Sequence, residues 1–273
     1  QAVGMDRGVQ VQVYDAHSNL EWDLEILRNL PDTNMAGAII VSLHHASFTD
    51  AIYDLKRRGY PFVLVDERSQ HIDVPSVVAD NYGGGYAVGR ELLAAGHRRI
   101  GFIGRLAAHT VADRMNGLRD AMNDAGAPFN RSLVVDLDMT LEGDWPSAIG
   151  DATRALLNRQ DRATAIFYSD DQTAMHAYPA IREMGLRVPD DVSVVGFDDN
   201  PLCQYIDPPL TTVRQPSGQM GRIAMEMLLK RIAHPRDPIE SKIMPVEIVP
   251  RASVSRAAAT STDNAGPACV GHE

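Results

Sequence analysis

Short apolar runs of strand length alternate with amphipathic segments along most of this chain, and that alternation narrows the possible folds more than any other property. The runs are Val11 to Tyr14, Ala38 to Val41, Phe62 to Val65, Ile100 to Ile103, Leu133 to Val135, Ala165 to Tyr168 and Val192 to Phe197, with Ser76 to Ala79 a weaker one. Several are apolar throughout, as strands covered on both faces must be. Between them, Asn19 to Leu30, Thr49 to Arg58, Tyr86 to Ala95, Asp113 to Ala125 and Trp145 to Leu157 repeat apolar residues at helical spacing. Arg58-Gly59, Ala95-Gly96, Ala125-Gly126 and Met184-Gly185 read as helix ends closed by a glycine. The pattern predicts an α/β protein: mostly parallel sheet, with helices on both faces.

The ends of the chain depart from this rhythm. Gln1 to Arg7 reads as the end of a helix closed by Gly8, with no strand before it, so the chain is expected to start inside a βαβ unit whose first strand lies upstream. Residues 257 to 273 carry almost no large apolar side chain and are expected to be a disordered tail.

Charge excludes some functions. A net charge of -10 and lysines only at Lys56, Lys230 and Lys242 leave no basic stripe with which this surface could neutralise phosphates. Cys203 and Cys269 form no CxxC pattern, which suits a reducing compartment, and no apolar run reaches bilayer-spanning length. A cytoplasmic protein without a structural metal or other cofactor is expected.

Carboxylates gather where predicted strands end: Asp136 and Asp138, Asp170 and Asp171, Asp198 and Asp199. Any one of them could cap a helix or start a turn. At the carboxyl edge of a parallel sheet, where ligands of open α/β proteins bind, such groups also suit a metal with phosphate or a polyol whose hydroxyls donate to them. The metal reading has one motif, Val134-Val135-Asp136-Leu137-Asp138-Met139-Thr140, which resembles the DxDxT nucleophile of haloacid-dehalogenase-type phosphatases. That chemistry needs a lysine, and none lies between Lys56 and Lys230. No GxSxG, HExxH or phosphate-loop motif is present, and His44-His45 has no matching ligand group. Gly83-Gly84-Gly85 with Gly89 misses the dinucleotide spacing and reads as tight helix packing. The polyol reading gains Arg114, a fork of donors; Trp145, a flat apolar face; and Gln215, both donor and acceptor.

VPDDVSVVGFDDNPL with PPLTTVRQP, then GRIAMEMLLKRI, supported by AGAIIVS, PFVLVD, VVADNYGGGYAVGRELLAAGHRRIGFIG and RMNGLRDAM, resemble in order and spacing the effector-binding domain of the lactose-repressor (LacI/GalR) family of bacterial transcription regulators. The resemblance covers residue 1 to about 256. It implies two similar, doubly wound, periplasmic-binding-protein-like halves with three chain crossings and a ligand cleft between them. The first half is expected to hold residues 1 to 105 and 216 to 240, and the second 106 to 215 and 241 to 256. By resemblance the effector contacts fall on Arg114, Asp170, Trp145, Asp198 and Gln215, with Thr110 as a further hydroxyl contact. Gly83 stands where the lactose repressor has a carboxylate, and Asp170 where many members have an amide. The resemblance further implies a homodimer, a mono- or disaccharide effector, and operator DNA bound through an N-terminal domain that this sequence does not contain. It does not imply an enzyme. Two other functions remain to be weighed: a periplasmic-type sugar-binding protein, which shares the two-half architecture, and the phosphatase.

Overall fold

The computed structural model describes residues 8–14, 20–41, 45–68, 72–137 and 144–257. In chain order its elements are α1 (Leu20–Asn29), β1 (Ala38–Val41), α2 (His45–Arg57), β2 (Phe62–Val65), β3 (Ser76–Ala79), α3 (Asn81–Ala94), β4 (Ile100–Gly104), α4 (His109–Asp124) and β5 (Val134–Asp136). They continue with α5 (Trp145–Leu157), β6 (Ala165–Tyr168), α6 (Asp171–Glu183), β7 (Ser193–Val195), β8 (Thr212–Arg214), α7 (Ser217–Ala233), β9 (Lys242–Met244) and β10 (Glu247–Val249).

Two four-stranded parallel sheets organise the chain, ordered β1-β2-β3-β9 and β5-β4-β6-β7. The short antiparallel pair β8-β10 continues from the β7 edge of the second sheet, through bridges Val195 to Thr211 and Asp198 to Arg214. Each sheet is packed on both faces, which is why its strands are apolar at successive positions. In β6, Ala165 and Phe167 point into the core under α3 and α4, and Ile166 and Tyr168 into the core under α5 and α6. In β2, Phe62 and Leu64 face α1 and α2, while Val63 faces α7 through Met220, Ala224, Met227 and Leu228. The helix-closing glycines Gly59, Gly96, Gly126 and Gly185 all have positive φ, between 65 and 91°, a backbone state that strains any residue with a side chain.

Sheet membership moves two of the expected boundaries. β4 pairs with β5 and β6, and α3 packs along α4, so residues 81 to 104 belong with the second half; the chain crosses between Ala79 and Asn81, not near Arg105. The α3–α4 contact is close because glycines face backbone: a Cβ on Gly85 would lie 2.0 Å from Arg114 O, and one on Gly117 2.1 Å from Tyr82 O. β9 pairs in parallel with β3, so the last crossing follows Met244 and does not lie between Ile239 and Lys242. The middle crossing lies between Arg214 and Ser217, since β8 joins the second sheet and α7 covers the first. A backbone bond from Asp80 N to Met244 O, 2.8 Å, ties the outer two crossings together.

Val11 to Tyr14 does not form the expected strand. Its alternating side chains find no ladder partner among the described residues, and Val13 and Tyr14 stay exposed. The expected helix end at residues 1 to 7 and nearly all of the expected tail, 258 to 273, lie outside the described residues.

Candidate functional site

The carboxyl ends of β2 and β3 in one half and of β6 and β7 in the other meet around Arg114. Arg114 lies on the buried stripe of α4, between Val111 and Gly117-Leu118, and is only 4% exposed. A guanidinium placed there without partners would be strongly destabilising, and it has partners on every side. Nε donates to Asn81 Oδ1 at 2.7 Å, just beyond β3, and Nη1 donates to Ser169 O at 2.5 Å, just beyond β6. The guanidinium carbon sits 3.8 Å from the ring centroid of Phe197, a cation–π contact. Nη2 is 3.8 Å from Asp198 Oδ1. Arg114 is thus a fixed post of the second half, held at the start of α3 and beyond β6 and β7, with Asp66 of the first half in electrostatic reach.

Asp198 follows β7 and has φ of 116°, a backbone state that disfavours any residue with a Cβ. Its amide donates to Val213 O at 2.7 Å, and Gln215 Nε2 donates to its Oδ1. Burial pushes its carboxyl up to about 7, with Asp170 and Asp171 nearby adding to the rise and Arg114 and Gln215 opposing it. The carboxylate still opens to the cleft, since 42% of the side-chain surface is accessible. Asp199 behaves otherwise. Burial would raise it, but Arg251 at 2.5 Å and Arg214 at 2.7 Å outweigh that and hold it below the usual carboxylate range. The pair therefore divides into a cleft-facing carboxylate and a structural anchor.

The remaining expected residues are less uniformly placed. Gln215 joins Asp198 and borders an open cavity of about 560 Å³ with the first turn of α7. Asp170 stands beside this group, but as the N-cap of α6: Oδ1 accepts from Thr173 N at 2.7 Å, and Oδ2 accepts from Ser169 Oγ at 2.8 Å. Its neighbour Asp171 is buried, accepting from Asn200 N and Thr212 Oγ1, and shapes the β7 loop. Thr110, half-buried in the first turn of α4, and Trp145, half-buried at the start of α5 beyond the edge strand β5, are not drawn into contact with Arg114 or Asp198 by any hydrogen bond or ring contact described. Asp136 accepts from Leu106 N at 2.8 Å and serves the β4–α4 loop; Asp138, its partner in the DxD reading, and His44 lie outside the described residues.

Sequence reading missed Asp66, Asn81 and Phe197. Asp66 ends β2, has φ of 56°, and buries Oδ1 with no hydrogen-bond partner among the described residues. Burial raises its carboxyl and Arg114 lowers it, which places the two in electrostatic reach across the cleft. Burial likewise pushes the adjacent Glu67 up to about 7. The signal was available: PFVLVD is a run capped by a carboxylate, like VVGFDD. Asp66 and Asp198 share a left-handed or distorted backbone, a feature that clusters at ligand sites. Among the described residues no group of three His, Cys, Asp or Glu is arranged to hold a metal, and no helix is long and apolar enough to cross a membrane.

This geometry has relatives. A family model described as a periplasmic binding protein-like domain matches residues 90–254. The ribose operon repressor of Haemophilus influenzae is 33% identical over 195 residues, covering 71% of this chain and 57% of that protein. The HTH-type transcriptional repressor PurR of Photorhabdus laumondii is 33% identical over 251 residues, covering 91% of this chain and 72% of that protein. A solved structure of a LacI family transcriptional regulator from Enterococcus faecium with bound ribose superposes with a TM-score of 0.80 at 27% identity, covering 94% of this chain and 91% of that one. The chain therefore spans 57% of the first relative's length and 72% of the second's.

Proposed function

Because the chain belongs to the LacI family of transcriptional regulators, we propose that it is the effector-binding part of such a regulator and that a sugar binds in the cleft around Arg114. The observation that carries this reading is Arg114 itself, a guanidinium locked by Asn81, Ser169 and Phe197, with one cleft carboxylate on either side, Asp66 and Asp198. Fixed donors beside acceptors suit vicinal hydroxyls, which donate and accept at once. Asp198 and Arg114 hold hydroxyls, Gln215 and Asp170 fix orientation, and Asp66 supplies an acceptor from the facing half. Trp145 and Thr110 contribute at the rim. The relative that carries ribose in its solved structure and the relative named for a ribose operon make a monosaccharide the first ligand to try.

The named relatives are transcriptional repressors, which favours regulation over periplasmic transport and over phosphatase chemistry. In the cytoplasm, a homodimer of the whole protein would couple closure of the cleft to operator binding through DNA-reading segments outside this chain. The direct test is calorimetry with D-ribose and a panel of mono- and disaccharides, with purine bases as controls. Asp198→Ala is expected to lose about 1 to 3 kcal/mol of sugar binding, because it leaves ligand donors unpaired. Undiminished affinity in that variant would sink the assignment, and so would a purine that binds where no sugar does.

A further inference from the structure

We infer that the effector is a polyol without an anionic group, and that the cleft selects uncharged or amine-bearing sugars against their phosphorylated or carboxylated counterparts. This rests on reading the cleft as a sugar site and adds the charge class of the sugar. The inference comes from counting what faces the ligand. The one guanidinium at the centre is already committed: Nε to Asn81, one Nη1 hydrogen to Ser169 O, its face to Phe197, and its charge to Asp198 and Asp66. Two carboxylates therefore share one cation before any ligand arrives. Asp170 and Asp171 lie behind Asp198, and Glu67 beside Asp66. Among the described residues, Asp66 Oδ1 is buried without a donor. An acceptor in that state is satisfied by a hydroxyl or an ammonium and opposed by another anion. A sulfate-like or phosphate-like group would need helix N-termini or a second free arginine. Of the helix starts around this cleft, those of α3 and α6 are already filled by the Asp80 and Asp170 caps, while those of α4 and α7 have no side-chain cap and the α7 turn shares its cavity with Asp198 and Asp199. Arg105 lies in electrostatic reach of Glu67, and Arg68 of Asp113.

The test is a matched series on the purified chain: D-ribose against D-ribose 5-phosphate, and D-glucose against D-glucosamine, D-glucuronate and D-glucose 6-phosphate, each titrated by calorimetry at pH 8. The neutral or amine-bearing member of a series is expected to bind, and its anionic counterpart to bind weaker by about 100-fold, the scale on which like-charge juxtaposition in a desolvated site acts. Asp66→Asn and Asp198→Asn keep the shape and one acceptor oxygen while removing the charge, and each should narrow that gap to about tenfold or less. Lowering the pH to 5.5 should narrow it for glucuronate too, since that ligand keeps its charge there while Asp198 and Glu67 take up protons against Arg114, Asp66, Asp170 and Asp171. A phosphorylated or carboxylated sugar that binds as tightly as its parent would overturn the charge assignment and leave the sugar reading standing, and so would a gap untouched in both variants. Binding of a purine base with no sugar of either kind would overturn both.

Discussion

Burial pushes the Asp198 carboxyl up to about 7 although Arg114 and Gln215 both favour its ionised form, so at neutral pH the free protein holds a carboxylate it would rather protonate. The linkage has a definite sign. A folded-state value raised above the ordinary 3.8 contributes stability that is fully present below about pH 4 and is lost as the pH rises through about 7. Asp198→Asn removes that dependence. Thermal unfolding without sugar is expected to show the variant more stable than the parent at pH 8, with the difference shrinking toward pH 5, while its sugar affinity falls. A variant less stable than the parent at pH 8 would mean that the carboxylate is held by its partners more strongly than burial opposes it. Asp198 was readable from its place after an apolar strand, and Arg114 from the RMNGL segment. Asp66 carries the same signal as Asp198 but passed unread, because Asp66-Glu67 after one strand looks like an ordinary turn. Phe197 was read as the last residue of a buried strand, and nothing in its neighbours announces that its face supports a guanidinium 83 positions earlier in the chain.

At the scale of elements, strand and helix bounds were legible because periodicity and closing glycines are local, and the structure moves most of them by only a few residues. What sheet a strand joins is not local. β4 follows α3 in the chain, but its ladder partners β5 and β6 come later, and β9 returns to β3 across 162 residues. The clue to the first crossing lay in Gly85 and Gly89, which were read as packing glycines without a partner helix to assign them to, and in Gly117, which was not read that way. They let α3 and α4 approach until side chain meets backbone: a Cβ on Gly89 would lie 2.7 Å from Ala121 Cβ. Gly117→Ala should therefore be costly, because the new carbon meets the Tyr82 carbonyl at 2.1 Å. Overpacking of this kind costs about 1 to 3 kcal/mol or more, against which the helix-propensity gain of about 1 kcal/mol is the smaller effect. Urea unfolding should show a net loss of about 1 to 2 kcal/mol. Sugar affinity should fall too, since Arg114 lies one turn from the clash. A neutral or stabilising outcome would show that the two helices can slide apart without disturbing the cleft.

For the whole molecule, the question is whether the ligand acts on one half or on both. Every described crossing runs beside the cleft: Asp80 N bonds Met244 O, Gln215 holds Asp198 just before α7 begins, and Val246 would touch a Cβ on Gly84 at 3.1 Å. The facing walls carry Asp66 from one half, and Asn81, Arg114 and Asp198 from the other. A ligand gripped by both walls stabilises the joined state of the two halves. A ligand held only by Arg114, Asp198 and Gln215 stabilises the second half alone. At a hundredfold excess over Kd, linkage is worth about 2.7 kcal/mol, or a roughly hundredfold slowing of exchange for amides that open only on unfolding. Hydrogen exchange with and without saturating D-ribose, or whichever sugar binds, separates the cases. Bridging predicts slowing in β2, β3 and α7 as well as in β4, β6 and β7. Asp66→Ala should remove most of the slowing in β2, β3 and α7 and keep that in β4, β6 and β7, because the first half then loses its carboxylate on the ligand. Protection confined to the second half in the unmodified protein would show that the sugar closes nothing, and that coupling to any DNA-reading segment must run by another route.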